Sequence, residues 1–280
     1  MQQPNPIGVF DSGYGGLTVL KAIIKKLPQY DYLYLGDNAR APYGNRSFET
    51  VYHYTLQSVQ WFFEQGCSLV ILACNTASAK ALRTIQQNDL PSLDPSKRVL
   101  GVIRPTTEVI GNYSETKNVG ILATNGTVAS GSYPVEIAKF FPDLKVYQEA
   151  CPMWVPLVEN DEMTGHGADF FIKKNLHSIF EKGKLIDVLL LGCTHYPLLK
   201  EKIEEHVPIG VKIVSQGEIV AESLAGYLLR HPEIEERCSK KQLRRFFTTD
   251  STEDFDSHAA RFYGEPVQSE HVDLEAVKNQ

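Results

Sequence analysis

The sequence predicts an α/β fold in which two similar parallel-sheet domains, related by a pseudo-two-fold duplication, face each other across an active-site cleft. Apolar runs that do not alternate with polar residues separate segments with helical spacing, which is typical of buried parallel strands. Two such runs match: Gly8 and Gly120 stand at the same place in their runs, 112 residues apart. Cys74 and Cys193 end another matching pair, 119 residues apart. Two pairs in the same order at similar offsets indicate one duplicated unit.

The first half of the chain reads as strands and helices in alternation. A short apolar strand leads into a glycine-rich turn, and Pro28 ends the helix that follows. Ser47 is suited to cap a long second helix because its hydroxyl can accept a hydrogen bond from a free N–H group. The next apolar run does not alternate, so both faces of that strand are expected to be buried. We expect strands at residues 7–10, 32–35 and 69–73, and helices at 17–27 and 47–65.

The second half repeats the pattern, and the last segment follows a different course. We expect strands at 99–103 and 119–123, a helical segment from 106, and a strand that ends before Cys193. After these come a strand at 211–214, helical spacing over 218–229, a strand at 245–249 and a helix at 255–262. We expect the last segment to rejoin the first half. The predicted domains are therefore 1–98 plus 210–280, which is discontinuous, and 99–209.

Composition excludes several classes of protein. A length of 280 residues favours two domains, and 42% apolar residues supply ample core. A net charge of −6 disfavours nucleic-acid binding, and no apolar run approaches the 18 residues of a membrane span. The first residues lack the basic and apolar regions of a signal peptide, and five cysteines without disulfide-style spacing suit a reducing compartment. We therefore expect a cytoplasmic protein with a small-molecule substrate and neither a membrane nor a nucleic-acid partner.

The two matched cysteines point to proton transfer. Cys74 follows the run SLVILA and Cys193 follows DVLLLG, and small polar residues come directly after each. In open α/β sheets, functional groups collect beyond the carboxyl ends of the strands. A free thiol has a pKa near 8.5, so both protonation states are reachable near neutral pH. Two facing thiols could therefore remove a proton from one face of a carbon and return a proton to the other. Asp11 and His195 stand where each could assist one thiol.

Five segments carry a resemblance to the glutamate racemase family, within the aspartate/glutamate racemases. The matching segments are VFDSGYGGL at 9–17, LGDNARAPYG at 35–44, ACNTA at 73–77, ACP through PLVE at 150–159 and GCTHYP at 192–197. The similarity runs from about residue 7 to residue 250 in the family's order. It implies cofactor-independent interconversion of L- and D-glutamate by two bases, supplying D-glutamate for peptidoglycan synthesis. It also implies a homodimer.

The resemblance assigns roles residue by residue. It implies that Cys74 and Cys193 are the two acid–bases, with Cys74 acting on the D-isomer and Cys193 on the L-isomer. Asp11, Glu159 and His195 match positions that assist proton transfer. The implied substrate contacts are Asp11, Ser12, Pro42, Tyr43, Gly44, Asn75, Thr76, Thr127, Thr194 and His195.

Other functions stay open at this point. A racemase for aspartate or another acidic amino acid is the second hypothesis, although that branch tends to carry Glu where this chain has His195. A non-catalytic amino-acid-binding module is the third, but binding alone does not need two matched thiols. A zinc site is disfavoured because neither C-x₂-C nor H-x₃₋₅-H spacing occurs. A dinucleotide site is disfavoured because the turn after the first strand does not match G-x-G-x-x-G: Thr18 replaces the last glycine. A pyridoxal phosphate enzyme is disfavoured because it needs a Schiff-base lysine, and the polar clusters contain no lysine.

Overall fold

The computed structural model describes residues 5–274 and contains two parallel β-sheets. The first sheet has six strands in the order β10-β9-β2-β1-β3-β4, and the second has four in the order β6-β5-β7-β8. All strand pairs are parallel, which confirms the predicted fold class. The strands are β1 Ile7–Asp11, β2 Tyr32–Gly36, β3 Leu69–Leu72, β4 Arg98–Gly101, β5 Asn118–Ala123, β6 Lys145–Ala150, β7 Val188–Gly192, β8 Lys212–Val214, β9 Arg244–Thr248 and β10 Ser269–His271.

Helices connect the strands. Ser47 caps the long second helix as predicted, since its Oγ accepts a hydrogen bond from the Thr50 N–H at 3.1 Å. The helices are α1 Gly16–Lys26, α2 Phe48–Glu64, α3 Asn75–Lys80, α4 Leu82–Thr84, α5 Leu90–Leu93, α6 Ile103–Thr107, α7 Asn125–Ser130, α8 Ser132–Phe140, α9 Trp154–Glu159, α10 His166–Lys182, α11 Lys200–Glu204, α12 Gly217–Arg230, α13 Pro232–Glu235 and α14 Thr252–Tyr263.

The two sheets share one strand order. The sequence β2-β1-β3-β4 in the first sheet corresponds to β6-β5-β7-β8 in the second. In this correspondence β1 is equivalent to β5, and β3 is equivalent to β7. Every residue of these four strands is buried, which explains why their sequences are continuous apolar runs rather than alternating ones. The duplication therefore places the ends of β3 and β7, and the cysteines that follow them, at matching positions.

Strands β4 and β8 do not lie in the sheets that the predicted domain boundaries imply. β4 pairs with β3 in the first sheet, although residues 99–209 were assigned to the second domain. β8 pairs with β7 in the second sheet, although residue 210 was predicted to begin the return to the first domain. The reason is that each of these strands continues the sheet of the preceding strand after a crossover, and apolar spacing alone does not reveal sheet partners. The division into domains at those residues stays a prediction.

Strand β6 is absent from the sequence-based prediction. Its residues read KVYQEA and are exposed or only partly buried, so it lacks the apolar run that marked the other strands. It pairs with β5 at the edge of the second sheet. An edge strand gains its stability from backbone pairing on one side and tolerates polar side chains.

Among the helices within residues 5–274, none is both long enough and apolar enough to span a membrane.

Candidate active site

The two thiols lie in one small cavity. Cys74 follows β3 and Cys193 follows β7, and both line a cavity of about 90 Å³ beyond the carboxyl ends of the two sheets. Both residues are buried, with 5% and 6% of their surfaces exposed. The topology explains this meeting, because equivalent strands of the two sheets deliver equivalent residues to the same space.

Cys74 lies in surroundings that keep its proton. It is the N-cap residue of α3, and its Sγ accepts a hydrogen bond from the Ala77 N–H at 3.4 Å. The thiol in turn donates to Ser12 Oγ at 3.4 Å. Burial and the nearby charge of Asp11 raise the pKa of Cys74 to about 12, although the contacts with Ser12 and Ala77 oppose this rise. Near neutral pH Cys74 is therefore a thiol, which is the form of an acid.

Cys193 lies beside a histidine that carries a charge. The Sγ of Cys193 is 3.9 Å from Nδ1 of His195, and Nε2 of the same ring is 2.9 Å from Oε1 of Glu159. Burial lowers the pKa of His195, but the contacts with Cys193 and Glu159 outweigh burial and raise it to about 10. The ring is thus an imidazolium near neutral pH. At this distance the ring of His195 can exchange a proton with the Cys193 sulfur, which suits Cys193 to act as an acid–base.

Asp11 lies behind the cavity wall rather than in it. Its side chain is 1% exposed, and its Oδ2 accepts a hydrogen bond from the Gly13 N–H at 3.0 Å. The hydroxyl of Thr194 is 3.5 Å from the other carboxyl oxygen. Burial raises the pKa of Asp11, and the positive charge of His195 opposes the rise. The charge of Asp11 therefore acts on Cys74 and on His195, and its carboxylate also contacts Thr194.

Hydroxyl groups form one side of the cavity. Thr76 Oγ1 is 3.0 Å from Thr124 Oγ1 and 3.4 Å from Thr127 Oγ1. Thr124 is the N-cap of α7 and accepts a hydrogen bond from the Thr127 N–H at 3.3 Å. The first turns of α3 and α7 thus begin beside the cavity. Free N–H groups of a first turn, together with hydroxyls, are donors that suit a carboxylate.

A tightly held loop forms the opposite side. Pro42, Tyr43 and Gly44 line the cavity, and Tyr43 is 1% exposed. The Tyr43 hydroxyl donates a hydrogen bond to the carboxylate of Asp37, which also binds Arg40 Nε at 2.8 Å. Asp37 is fully buried, so this ion pair anchors the loop from inside. Only its place in the LGDNARAPYG segment distinguishes Asp37 at the level of sequence.

The cavity lining contains most of the predicted site residues. Asp11 and Thr127 lie directly behind the lining, and all the other predicted site residues belong to it. The lining also includes residues that the sequence analysis did not assign to substrate. Of these, Thr124 directly follows β5, and Cys151 lies in the ACP part of the segment at 150–159. The additional lining residues are Ala41, Asn45, Thr124, Asn125, Cys151, Pro152, Val155 and Pro156.

The charges around the cavity constrain its ligand. Within residues 5–274, neither lysine nor arginine is among the lining residues. An acidic ligand would therefore be held by N–H groups, hydroxyls and the imidazolium of His195 rather than by an ion pair with a basic side chain. Two thiols that follow separate strands and meet in a buried cavity suit the transfer of a proton to and from carbon.

Gly15 leaves room for His195, which gives a testable prediction. A methyl group at Gly15 would overlap the Thr194 hydroxyl and would stand 2.7 Å from Cε1 of His195. We expect Gly15→Ala to lower the free energy of unfolding by about 1–3 kcal/mol because of this overlap. We also expect the pKa of His195 to move toward 6.5, since the ring loses its contacts with Cys193 and Glu159. Urea unfolding and NMR titration measure the two effects.

Gly167 provides the matched control. It lies in the first turn of α10, where a Cβ would meet no heavy atom within 4 Å. Gly167→Ala should leave the His195 titration unchanged and stabilise the protein by up to about 1 kcal/mol, because alanine restricts the unfolded chain. Equal losses in stability from the two substitutions would contradict the assigned role of Gly15.

Comparison with known proteins supports one family. Residues 7–224 match the family described as Asp/Glu/Hydantoin racemase. The chain is 39% identical over 274 residues to a glutamate racemase of Geobacter metallireducens, covering 97% of this chain and 98% of the other. Among solved structures, a glutamate racemase isoform from Bacillus anthracis superimposes with a TM-score of 0.88 at 34% identity, covering 98% of this chain and 99% of that one.

A second solved structure contains a ligand. The glutamate racemase of Francisella tularensis, solved in complex with D-glutamate, gives a TM-score of 0.86 at 32% identity and covers 98% of this chain and 99% of its own. An aspartate racemase of Picrophilus torridus, at 19% identity and a TM-score of 0.52, shares the fold alone. The matched strands, the paired thiols and these similarities agree, and the chain belongs to the Asp/Glu/hydantoin racemase family.

Proposed function

We propose that this protein interconverts L-glutamate and D-glutamate, with Cys74 and Cys193 as two acid–bases on opposite faces of the α-carbon. The observation that carries the proposal is that two buried thiols, each at the end of an equivalent strand, line one small cavity. Burial and Asp11 raise the pKa of Cys74, and Nδ1 of His195 lies 3.9 Å from the sulfur of Cys193. A protein that only binds an amino acid needs neither thiol.

The proposed reaction uses the two thiols in turn. The Cys193 thiolate removes the α-proton from one enantiomer and becomes a thiol. The Cys74 thiol then delivers its own proton to the other face of the carbon and becomes a thiolate. One C–H bond breaks and one forms, so the reaction consumes no electrons. The negative charge that develops near the carboxylate is stabilised by the hydroxyls and N–H groups along Thr76 and Thr124.

The direction of each step comes from family resemblance. Cys193 is proposed to act on L-glutamate and Cys74 on D-glutamate, and the reverse reaction begins with the Cys74 thiolate. We further propose that the protein works without a cofactor in the cytoplasm as a homodimer, and that its D-glutamate serves peptidoglycan synthesis. The relatives described above are glutamate racemases, which supports glutamate over aspartate as the substrate.

Incubation in deuterated water tests the proposed function. The protein is mixed with L-glutamate, and optical rotation and deuterium at the α-carbon are followed together. We expect rotation to fall to zero while deuterium enters, because each turnover delivers a solvent-derived proton. L-aspartate in a parallel sample should react far more slowly. Binding of glutamate without exchange or loss of rotation would contradict the proposal and would indicate a binding module.

A further inference from the structure

A buried polar network lies behind Asn75, which lines the cavity. The side-chain Nδ2 of Asn75 donates a hydrogen bond to Gln216 Oε1 at 2.7 Å, and the Tyr133 hydroxyl donates to Asn75 Oδ1 at 2.7 Å. Gln216 Nε2 in turn donates to the Tyr133 hydroxyl at 2.8 Å. The three side chains are at most 4% exposed and close a ring of hydrogen bonds. Asn75 follows β3, whereas Tyr133 belongs to α8 and Gln216 precedes α12.

Contacts with Val102 and Thr106 fix the direction of the hydrogen bonds in this ring. Gln216 Nε2 also lies 3.2 Å from the carbonyl oxygen of Val102 and 2.9 Å from Thr106 Oγ1. A carbonyl oxygen only accepts, and the Thr106 hydroxyl gives its own hydrogen to the same Val102 carbonyl at 3.0 Å. The Gln216 amide must therefore direct its nitrogen toward Val102 and its oxygen toward Asn75. Because that oxygen needs a donor, the Asn75 nitrogen must face it.

The network leaves one group of Asn75 free for a ligand. Its Oδ1 accepts a hydrogen bond from the Tyr133 hydroxyl, and its Nδ2 donates one hydrogen to Gln216 Oε1. The second hydrogen of that nitrogen has no partner among residues 5–274. A reversed amide would set two oxygens against each other at Gln216 and would offer a lone pair to the cavity. A lone pair repels a carboxylate, whereas an N–H group binds it.

We infer that Tyr133 and Gln216 are positioning residues, which hold the Asn75 amide as a hydrogen-bond donor toward the carboxylate substrate. They touch no substrate themselves and act through Asn75. The inference rests on the proposed function, because it takes glutamate as the carboxylate. Neither residue belongs to the five segments that carry the family resemblance, so motif reading does not find them.

Steady-state kinetics of Tyr133→Phe test this role. The variant loses the hydroxyl that fixes Asn75 Oδ1, so the amide can rotate or reverse. We expect the KM for L-glutamate to rise about 5- to 10-fold while kcat stays within about 3-fold of wild type, because the lost contact serves binding in ground state and transition state alike. Gln216→Met, which removes the acceptor for Asn75, should give the same pattern. If Tyr133→Phe does not fold, Gln216→Met tests the same role in its place.

Tyr32→Phe is the matched control. Tyr32 is 1% exposed and its hydroxyl donates to the Leu27 carbonyl at 2.9 Å, in a part of the first sheet remote from the cavity. This variant loses a buried tyrosine hydroxyl in the same way, and its KM should equal that of wild type. Thermal unfolding of all variants confirms that each is folded at the assay temperature.

A double-mutant cycle decides whether Tyr133 acts through Asn75. If it does, Asn75→Ala and the double variant Asn75→Ala/Tyr133→Phe have the same KM, since the amide to be positioned is already gone. If the KM of the double variant exceeds that of Asn75→Ala by the factor measured for Tyr133→Phe alone, the inference is overturned while the proposed function stays intact. A folded wild-type protein that neither binds nor exchanges glutamate would overturn both.

Discussion

Replacing Cys74 or Cys193 with alanine is expected to lower the rate of glutamate racemisation by about 10²- to 10⁴-fold in each case. Each thiol performs one of two successive proton transfers, so neither can substitute for the other. The fold should survive, because the change removes one sulfur atom and, at Cys74, one N-cap hydrogen bond worth about 1 kcal/mol. Polarimetry measures the rate, and circular dichroism monitors the fold.

Cys238→Ala is the control for this loss. Cys238 is also buried, at 5% exposure, and its thiol contacts the carbonyl of Ile234 at 3.3 Å, distant from the cavity residues. Burial raises the pKa of Cys238 to about 12, as it does for Cys74. The control therefore removes a similar buried thiol without removing an acid–base, and it should racemise glutamate at the wild-type rate. A Cys74→Ala or Cys193→Ala variant as active as this control would disprove the two-base proposal.

Substitution of His195 by asparagine is expected to lower the rate by about 10²-fold, mainly in the step at Cys193. Asparagine does not exchange protons in this pH range, so it cannot assist Cys193 as the imidazole ring can at 3.9 Å. Exchange of the α-proton of L-glutamate should fall more than exchange of D-glutamate, because Cys74 retains its surroundings. Proton NMR in deuterated water measures both exchange rates.

His206→Asn is the matched control for this substitution. His206 contacts Asp169 at 3.2 Å on a part of the surface away from the cavity. Its replacement should leave both exchange rates unchanged. Equal reductions for the two enantiomers in His195→Asn would contradict the assignment of His195 to Cys193.

The raised pKa of His195 also predicts a pH dependence of stability. The folded protein holds the proton up to about pH 10, whereas the unfolded chain releases it near 6.5. The stabilisation is therefore complete below pH 6.5 and is lost as the pH rises toward 10, with a slope of at most about 1.4 kcal/mol per pH unit. Urea unfolding across this range should show a shallower decline for His195→Asn. An identical decline in both proteins would show that His195 is not protonated in the folded state.

Sequence patterns predicted the central strands well because each is buried on both faces. The runs at 7–10, 69–73 and 119–123 are apolar without interruption, and the structure places strands there. The edge strand β6 escaped prediction because its exposed side chains need not be apolar. Sheet membership of β4 and β8 escaped it because neighbouring strands are chosen by the crossover, not by local composition.

The candidate site was predictable where chemistry and chain order coincide. Cys74 and Cys193 each follow a buried strand directly, so their meeting at one edge follows from parallel topology. Tyr133 and Gln216 reach the site only through hydrogen bonds to Asn75, across 58 and 141 residues of sequence. Such contacts depend on the packing of helices against both sheets. Local sequence gives no signal for them.

Enantiomer-specific exchange tests the central claim most directly. Cys74→Ser and Cys193→Ser are each incubated with L-glutamate and with D-glutamate in deuterated water, and deuterium at the α-carbon is measured by mass spectrometry. We predict that Cys74→Ser, which keeps the thiol of Cys193, exchanges only L-glutamate, and that Cys193→Ser exchanges only D-glutamate. Exchange of both enantiomers at similar rates by either variant would show that one group serves both faces of the carbon, and it would contradict the two-thiol mechanism.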